Sequence, residues 1–458
     1  MGSGWHEVWQ VGGTKCGKWV ARSVRTPVSL VRKFVKNFDL RKMWDLKVFA
    51  CTWNVGNSEP IDEKQLQNLL GWQSGVRSDI YIIGLQEIST GPVETAISFI
   101  SHDVWAKSFL DFFSKQEYFM VENVRLQGMS LCVFASIQHL PFIRFVKASY
   151  ERTGFSGNWG NKGGVAISFW CYGEKIAVLN THLHANLEVC EKRIIDFEKI
   201  LKGIDFNETC DILSHDVVLW IGDTNFRIDD VSRSDVIKLV QEKKYKTLLK
   251  KDQLIKNQRS HNLLSQFIEG EINFAPTYKF DLGTDIYDTS VKQRKPAWTD
   301  RVLYRVHPDK VTLRKGKSEE KFVQQIVGSY VSHMEMQTSD HKPVTSIFRF
   351  HFTKDVSPIV NVQVGEISKD FVEVEITFEP GMFVDFHDYV ALYPENLGDF
   401  RSYITWVYVP GSDAAENFRI RRKVSAKLPI QGPSVGYRVG YYSVKFGSLA
   451  NISRVFNI

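Results

Sequence analysis

The sequence predicts a large α+β sandwich of two β-sheets, followed by a smaller all-β sandwich. Between about residues 47 and 352, short apolar runs alternate with loops and longer helical patterns. From residue 356 to 458 the chain consists of short strand-like runs separated by Pro, Gly and Asp turns. The composition, 43% apolar and 24% charged over 458 residues, is typical of a soluble protein with a large core.

The first 46 residues form a basic leader. Residues 1–47 hold ten Lys or Arg and three Asp or Glu, a net charge of +7, so the rest of the chain is close to neutral. Apolar residues at helical spacing predict a helix here: Val28, Val31, Phe34, Val35 and Phe38. Such a helix either lies on an anionic membrane or docks on the main domain.

Targeting signals and disulfide patterns are not recognisable in the sequence. No uncharged apolar run approaches the ~18 residues that cross a bilayer, and the N-terminus lacks a signal-peptide pattern. The six cysteines are widely spaced, without a Cys-x-x-Cys pair. This usage predicts reduced thiols in the cytoplasm.

Six apolar runs predict the strands of the main domain: "KVFACTW", "DIYIIG", "GVAISFWCYGEKIAVLNTHL", "DVVLWIG", "DRVLYRV" and "HKPVTSIFRFHF". The third run is long enough for two strands, and Tyr172-Gly173-Glu174-Lys175 predicts a hairpin turn between them. "LEVCEKRIIDFEKIL" predicts a helix, with Leu187, Ile194, Ile195, Phe197 and Leu201 available for a buried side.

The C-terminal region shows the period of two that half-buried strands have. In "FVEVEITFE", Val372, Val374, Ile376 and Phe378 fall on one face and polar residues on the other. "FRIRRKV" predicts a basic edge strand, which either prevents aggregation or contacts a lipid or protein partner. The domain is accordingly either a stabilising appendage or a targeting module.

Polar residues follow or precede the predicted strands of the main domain at their ends: Asn54, Glu87, His182, Asp223, Asn225, Asp300, Arg301, Asp340 and His341. Each alone is typical of a turn or a helix cap. Loops at strand ends also place functional side chains on a rigid scaffold. A shared function requires these strand ends to converge.

The chemistry of these residues suffices for the hydrolysis of a phosphate ester. Asp223 can orient and deprotonate a water molecule, and Asn225 can donate to phosphoryl oxygens. His182 and His341 offer N–H donors, while Asp300 can fix the tautomer of one imidazole.

A metal ion would complete this chemistry. Glu87, together with the few other carboxylates among these residues, suits Mg²⁺, because this ion prefers oxygen ligands and retains several waters. No His or Cys cluster has zinc spacing. A Cys or Ser nucleophile is not needed.

Eight sequence motifs in order resemble the inositol polyphosphate 5-phosphatase family: "WNVG", "GLQEI", "GNWGNKGGVAISF", "LNTHLHA", "WIGDTNFRID", "PTYKFD", "RKPAWTDRVLY" and "SDHKPV". The resemblance implies the DNase I-like endonuclease/exonuclease/phosphatase fold, a four-layer sandwich, for residues 47–352. Residues 356–458 resemble the SKICH domain, a β-sandwich with a targeting role.

The resemblance also implies roles for individual residues. Glu87 would be the main Mg²⁺ ligand with Asn54 beside it, and Asp223 the base. Asn225 would hold the phosphoryl group, Asp300 would orient His341, and His182 and Asp340 would complete the pocket. The neighbouring 4-phosphate would be contacted by Tyr278, Lys279 and Lys292. Lys162 would lie near the phosphate that links inositol to lipid.

The expected function is Mg²⁺-dependent hydrolysis of the 5-phosphate of PI(4,5)P2 and PI(3,4,5)P3, and of soluble inositol polyphosphates. The expected partners are the inositol phospholipid, a peripheral membrane surface and proteins bound by the C-terminal domain, without nucleic acid. We expect a monomer in the cytoplasm, peripherally associated with endoplasmic reticulum and plasma membrane. The alternatives are a nuclease of the same fold, which the basic leader would favour, and a non-catalytic scaffold.

Overall fold

The computed structural model describes residues 44–89, 103–154, 159–185, 190–206, 211–312, 322–352, 357–382, 384–409, 422–430 and 436–457. The predicted leader helix lies outside the described residues. Within the described residues, no helix is both long and apolar enough to span a bilayer.

Two β-sheets form the centre of the main domain. Sheet A contains β1 (Trp44–Asn54), β2 (Ile80–Gln86), β3 (Tyr118–Leu126), β4 (Met129–Ser136), β11 (Val323–Gln325), β12 (Val331–Ser332) and β13 (Val344–Phe352). Its order is β11-β13-β1-β2-β4-β3, with β12 also paired to β13. Strands β1 and β2 are parallel, so their carboxyl ends lie at the same edge of the sheet.

Sheet B contains β5 (Ile143–Gly154), β6 (Trp159–Cys171), β7 (Glu174–His182), β8 (Val217–Asp223), β9 (Ile268–Glu269) and β10 (Asp300–Val306), in the order β5-β6-β7-β8-β10-β9. The predicted hairpin is confirmed, with Cys171 paired to Glu174 and positive φ at Tyr172 and Gly173. Strands β7 and β8 are parallel, whereas β10 runs antiparallel to β8.

The described helices of the main domain are α1 (Glu63–Leu69), α2 (Val104–Ser114), α3 (Cys190–Gly203), α4 (Arg233–Gln241), α5 (Tyr245–Leu249), α6 (Gln253–Gln258) and α7 (Pro308–Thr312). Helices α1 and α2 cover the outer face of sheet A, and α3 covers that of sheet B. Apolar residues of α1 and α2 form one core with sheet A, and residues of α3 form another with sheet B. A third core lies between the sheets. The predicted four-layer arrangement is therefore confirmed.

Two details differ from the sequence interpretation. Strand β1 begins at Trp44, so its first residues fall in the predicted leader. On α3, Phe197 and Leu201 are buried as predicted, but Ile195 is 60% exposed. The helix buries Arg193 and Asp196 as well as apolar residues, so the apolar pattern alone did not define its inner face.

The C-terminal region forms two small sheets: β14 (Val360–Ile367), β15 (Phe371–Phe378) and β18 (Arg422–Pro429) in one, and β16 (Tyr389–Pro394), β17 (Thr405–Tyr408), β19 (Tyr437–Ser443) and β20 (Ser448–Ile452) in the other. The alternating apolar residues of β15 are buried as predicted. β18 lies at the edge of its sheet, where Lys423 pairs with Glu375. The first four residues of "FRIRRKV" lie outside the described residues.

The C-terminal sandwich packs directly against the main domain. Tyr393, Leu397 and Leu449 belong to the core that fills the space between sheets A and B. The buried Arg438 forms an ion pair with Glu117, 2.5 Å long. An open pocket of about 550 Å³ lies at this junction, and none of the predicted site residues lines it.

Candidate active site

Strand register brings the predicted residues of sheet B together. His182, the last residue of β7, pairs with Asp223, the last residue of β8, and Asp223 pairs in turn with Asp300, the first residue of β10. Gly222 permits this close approach, because a Cβ there would lie 2.1 Å from the Thr181 carbonyl oxygen. Three polar side chains consequently share one edge of the sheet.

Sheet A contributes its residues from the facing edge. Asn54 ends β1, Glu87 follows β2, and His341 lies just before β13. Between the sheets, the Gln86 amide nitrogen donates to Asn180 Oδ1 at 2.6 Å, a buried hydrogen bond. This bond joins β2 of sheet A to β7 of sheet B, so it fixes the two edges relative to each other.

Asp223 is the centre of the cluster. Its Oδ2 accepts from Asn54 Nδ2 at 3.1 Å and lies 3.3 Å from His182 Nε2 and 4.0 Å from His341 Nε2. Its Oδ1 accepts from the Asn225 backbone N–H at 3.0 Å. Side chains from both sheets thus meet at one carboxylate.

The environment keeps Asp223 ionised. Burial alone would raise the pKa of this carboxyl, but the hydrogen bond from His182 and the positive charges of His341 and Lys162 outweigh burial and lower the pKa. Asp223 is therefore a carboxylate throughout the physiological pH range. It can accept a hydrogen bond from a water molecule.

His341 has the opposite electrostatic bias. Its Nδ1 lies 3.0 Å from Asp300 Oδ2, and Thr277 and Thr299 donate hydroxyl hydrogen bonds of 2.6 and 2.8 Å to the same oxygen. Burial would lower the pKa of His341, but the charge and hydrogen bond of Asp300, with the charge of Asp223, raise it to about 9. His341 is accordingly an imidazolium at neutral pH, with Nε2–H directed toward Asp223.

Lys162 and His182 also belong to the cluster around Asp223. The Lys162 ammonium contacts His182 Nε2, which also lies 3.6 Å from Glu87 Oε1. Burial and the charge of Lys162 lower the pKa of His182 despite the neighbouring carboxylates. Burial also lowers the pKa of Lys162. His182 is consequently neutral at pH 7.

Glu87 and Asn54 offer oxygen donors of the kind that a divalent cation prefers. The Glu87 side chain is 42% exposed, and Asn54 Oδ1, which accepts from the Gly56 N–H, retains a second lone pair. Another group of possible ligand atoms lies within 4.8 Å on Asp223, Asp300 and His341. Asp300 already accepts from three side chains there, and His341 is cationic, which disfavours that alternative.

Arg227 is a functional candidate that the sequence analysis missed. Its Nη2 donates to Asn225 Oδ1 at 2.6 Å, and its guanidinium lies 4.4 Å from the centroid of the Tyr278 ring. Arg227 Nη1 is buried without a hydrogen-bond partner among the described residues. An unpaired buried guanidinium N–H is a donor for an anionic ligand. Its place in "WIGDTNFR", two residues after Asn225, was the available signal.

The predicted 4-phosphate residues are only partly gathered. The Tyr278 and His341 rings lie 4.4 Å apart, and Lys279 Nζ forms an ion pair with Asp340 Oδ2 at 2.7 Å. Burial opposes the charge of Lys279, but Asp340 outweighs burial and raises the pKa of the lysine. Lys292 is exposed on a turn and forms no ion pair with the cluster in the part of the chain that is described.

Two of the site residues adopt backbone conformations that are uncommon outside glycine. Glu87 has φ of 54° and Asn225 has φ of 55°. Non-glycine residues in this region cost free energy and are concentrated at functional sites. Positive φ also occurs at non-glycine residues outside the site, such as Tyr172 in the β6–β7 turn, so it accompanies the site here without identifying it.

Comparison with known proteins assigns both parts of the chain to families. Residues 51–347 match Endonuclease/Exonuclease/phosphatase family 2. Residues 359–458 match the SKICH domain.

Two curated relatives match nearly the whole chain. Inositol polyphosphate 5-phosphatase K of Mus musculus is 33% identical over 91% of this chain and 90% of its own length. Phosphatidylinositol 4,5-bisphosphate 5-phosphatase A of Homo sapiens is 35% identical over 90% of this chain, but only 41% of that longer protein is covered.

A solved structure matches the main domain. It is the inositol polyphosphate 5-phosphatase domain of SPsynaptojanin in complex with inositol (1,4)-bisphosphate and calcium ion. The similarity covers 71% of this chain and 89% of that one, with a TM-score of 0.59 and 30% identity.

Proposed function

Because the chain belongs to the inositol polyphosphate 5-phosphatase family, we propose that it hydrolyses the 5-phosphate of PI(4,5)P2 and PI(3,4,5)P3, and of soluble inositol polyphosphates, with Mg²⁺. The observation that carries the proposal is the convergence of Asp223 and His341. A carboxylate and an imidazolium, from different sheets, lie 4.0 Å apart. Human 5-phosphatase A, named for phosphatidylinositol 4,5-bisphosphate, supports the lipid substrate.

In this proposal Asp223 acts on the attacking water. Its carboxylate holds the water by a hydrogen bond and accepts the proton as the new P–O bond forms. Asn54 Nδ2 and the Asn225 backbone N–H fix the two carboxylate oxygens. The low pKa of Asp223 makes it a better orienting group than a strong base.

Positive and donor groups stabilise the phosphoryl oxygens. The His341 Nε2–H, held by Asp300 through Nδ1, and the unpaired Nη1 of Arg227 can donate to oxygens that gain charge in the transition state. Asn225 Nδ2 donates to the Leu183 carbonyl at 3.0 Å, and its second hydrogen remains for the phosphoryl group.

Glu87 and Asn54 are the residues that would hold Mg²⁺. When bound, the ion supplies positive charge to the phosphoryl group and lowers the pKa of coordinated water. His182 Nε2 lies 3.3 Å from Asp223 Oδ2 and 3.6 Å from Glu87 Oε1, so this side chain lies between the two carboxylates. Asp340 completes the pocket by orienting Lys279.

The substrate contacts follow from the lysines around the cluster. Tyr278 borders His341 and Lys279 pairs with Asp340, which supports their assignment to the 4-phosphate. Lys292 can reach that phosphate only if its exposed side chain turns toward the cluster. Lys162 is assigned to the phosphate that links inositol to lipid.

Phosphate release from a panel of inositol lipids and soluble inositol phosphates tests the proposal. We expect turnover of 5-phosphorylated members only, loss of activity in EDTA and recovery with Mg²⁺. Cleavage of DNA or RNA without phosphate release from any inositol compound would instead support the nuclease alternative. No turnover of any substrate with added Mg²⁺ would support the scaffold alternative.

Membrane association is a further part of the proposal. The basic leader and the SKICH domain are the segments proposed to hold the enzyme, from the cytoplasm, at endoplasmic reticulum and plasma membrane. Fractionation of cells that express the full chain, with and without residues 359–458, checks the contribution of the C-terminal domain.

A further inference from the structure

An exposed apolar loop borders the candidate active site. The segment from residue 281 to 295, here called the rim loop, carries three large apolar side chains with high exposure. Leu282 is 67% exposed, Ile286 is 58% exposed and Val291 is fully exposed. Single exposed apolar residues are common on protein surfaces, but these three fall within ten positions of one loop.

Hydrogen bonds fix the rim loop next to the catalytic cluster. The Phe280 N–H donates to the Asp340 carbonyl at 2.9 Å, and the Gly283 N–H donates to the Gln337 carbonyl at 2.9 Å. The Asp288 N–H donates to the Lys279 carbonyl at 2.9 Å. The first half of the loop, through Asp288, is therefore anchored to the segments that carry Lys279 and Asp340, next to His341.

The loop is also folded on itself, which keeps its apolar residues on neighbouring turns. The Asp281 N–H donates to the Ile286 carbonyl at 2.9 Å, and the Asp281 carboxylate accepts from Thr289 N and Oγ1 at 3.1 and 2.7 Å. Phe280 stacks on Tyr287 with centroids 4.4 Å apart. This bonding leaves the apolar side chains exposed on an ordered loop.

The charges of the rim loop favour an anionic surface. Its carboxylates are engaged within the protein: Asp281 binds Thr289, Asp285 pairs with Lys342 at 2.9 Å, and Asp288 accepts from the Arg294 N–H at 2.7 Å. Lys292, adjacent to Val291, is exposed and forms no ion pair with a described residue. Apolar side chains beside a free cation match the interfacial region of a bilayer that contains anionic lipid.

We propose that the rim loop inserts Leu282, Ile286 and Val291 into the surface of an anionic membrane and thereby presents the active site to lipid-borne substrate. The inference rests on the proposed 5-phosphatase function and deepens it. Insertion raises the rate on a lipid substrate by concentrating the enzyme at the bilayer. It has no effect on a substrate free in water.

A paired assay on the full chain tests the proposal. The variant Leu282→Ser/Ile286→Ser/Val291→Ser is compared with wild type on PI(4,5)P2 in phosphatidylcholine/phosphatidylserine vesicles and on soluble inositol 1,4,5-trisphosphate. We expect kcat/KM on vesicles to fall about tenfold or more, because the variant loses most of the apolar surface that would enter the bilayer. We expect the rate on the soluble substrate to stay within about twofold.

A matched control separates the loop from general surface change. Val311 is 50% exposed on α7, which follows the end of β10 that lies away from Asp300. Val311→Ser should leave both rates unchanged, whereas Val291→Ser alone should lower only the vesicle rate. An equal loss on both substrates, or no loss on vesicles, would overturn the proposal.

Vesicle binding without any phosphoinositide distinguishes this inference from the catalytic one. Sedimentation with phosphatidylserine vesicles should show weaker binding of the triple variant than of wild type. Equal binding would reject insertion even if the enzyme were active. Impaired binding together with no turnover of either substrate by wild type would retain insertion and reject the proposed reaction.

Discussion

Two adjacent residues of β10, Asp300 and Arg301, belong to two buried charged clusters on opposite faces of the strand. Asp300 binds His341 in the candidate active site. Arg301 extends to the other side, where its guanidinium is fully buried. Both clusters contain buried charged residues of similar types, and they differ in how completely their hydrogen bonds are satisfied.

We call the Arg301 cluster closed, because its charged groups are paired with one another inside the protein. Its Nη1 donates to both oxygens of Asp252 at 3.0 and 3.1 Å, and its Nε and Nη2 donate to the two oxygens of Glu269 at 2.7 and 2.5 Å. The Tyr330 hydroxyl donates to Glu269 at 2.7 Å. Asp252 also caps α6 by accepting from the Ile255 N–H. Every charge has its partners, which is the arrangement that fixes β9, α6 and β10 together.

We call the active-site cluster open, because some of its polar and charged groups are not paired. Asp223 Oδ2 and His341 Nε2 lie 4.0 Å apart, too far for a hydrogen bond. Arg227 Nη1 has no partner among the described residues, and the Glu87 side chain is 42% exposed. Incomplete pairing of buried charge costs stability unless a ligand completes it. The charges of the Arg301 cluster therefore stabilise the fold, whereas the active-site cluster retains polar groups that a ligand could pair.

The largest expected effect is that of Asp223→Asn. The amide keeps one oxygen for the Asn225 N–H but cannot accept a proton from water, so kcat should fall by about 10³-fold or more. Steady-state phosphate release measures this loss. The urea midpoint should fall, because the neutral amide loses the interactions that lower the pKa of Asp223, so kcat is expressed per folded molecule. Residual activity near the wild-type level would remove Asp223 from the mechanism.

Arg301→Met tests the closed cluster. It leaves Asp252 and Glu269 as buried carboxylates without a cation, so the free energy of unfolding should fall by about 3–5 kcal/mol. Urea denaturation followed by tryptophan fluorescence measures the loss.

Activity of the Arg301→Met variant provides the contrast. Below its unfolding temperature, kcat per folded molecule should remain near wild type, because Arg301 does not face Asp223. A large fall in kcat without loss of stability would show that the two clusters are not functionally separate.

Asp300→Asn probes the link between charge and pH. In wild type, protonated His341 has its pKa raised to about 9, above an unfolded value of about 6.5. Its contribution to stability is therefore complete below pH ~6.5 and is lost as pH rises through about 9. The variant removes the main charge that raises this pKa.

The expected result is a shift of the alkaline limb of the kcat/KM profile, from near pH 9 toward lower pH, with a loss at neutral pH of about 10²-fold. A pH–rate series from 6 to 10 measures both quantities. A profile that loses rate without moving its alkaline limb would show that Asp300 acts only through packing.

Sequence reasoning identified most of this site because strand ends are local features. Asp223, Asp300 and His341 were all predicted, but their convergence depends on the strand registers, which no local pattern encodes. Arg301 was grouped with Asp300 at the strand end, although successive side chains on a strand point to opposite faces. Arg227 was missed because its role depends on the position of Tyr278, fifty-one residues further along the chain.

Lys279→Ala, at the border of the open cluster, should have the weakest effect of the four substitutions. Lys279 already pairs with Asp340 at 2.7 Å, so a 4-phosphate competes with a carboxylate for its charge. We therefore expect only about a tenfold rise in KM for substrates with a 4-phosphate, and little change for a 5-phosphorylated substrate that lacks it. Kinetics on such a pair measure the difference, and Lys279→Arg, which keeps the charge, should recover part of it. An equal loss on both substrates would place Lys279 with the closed, structural charges instead.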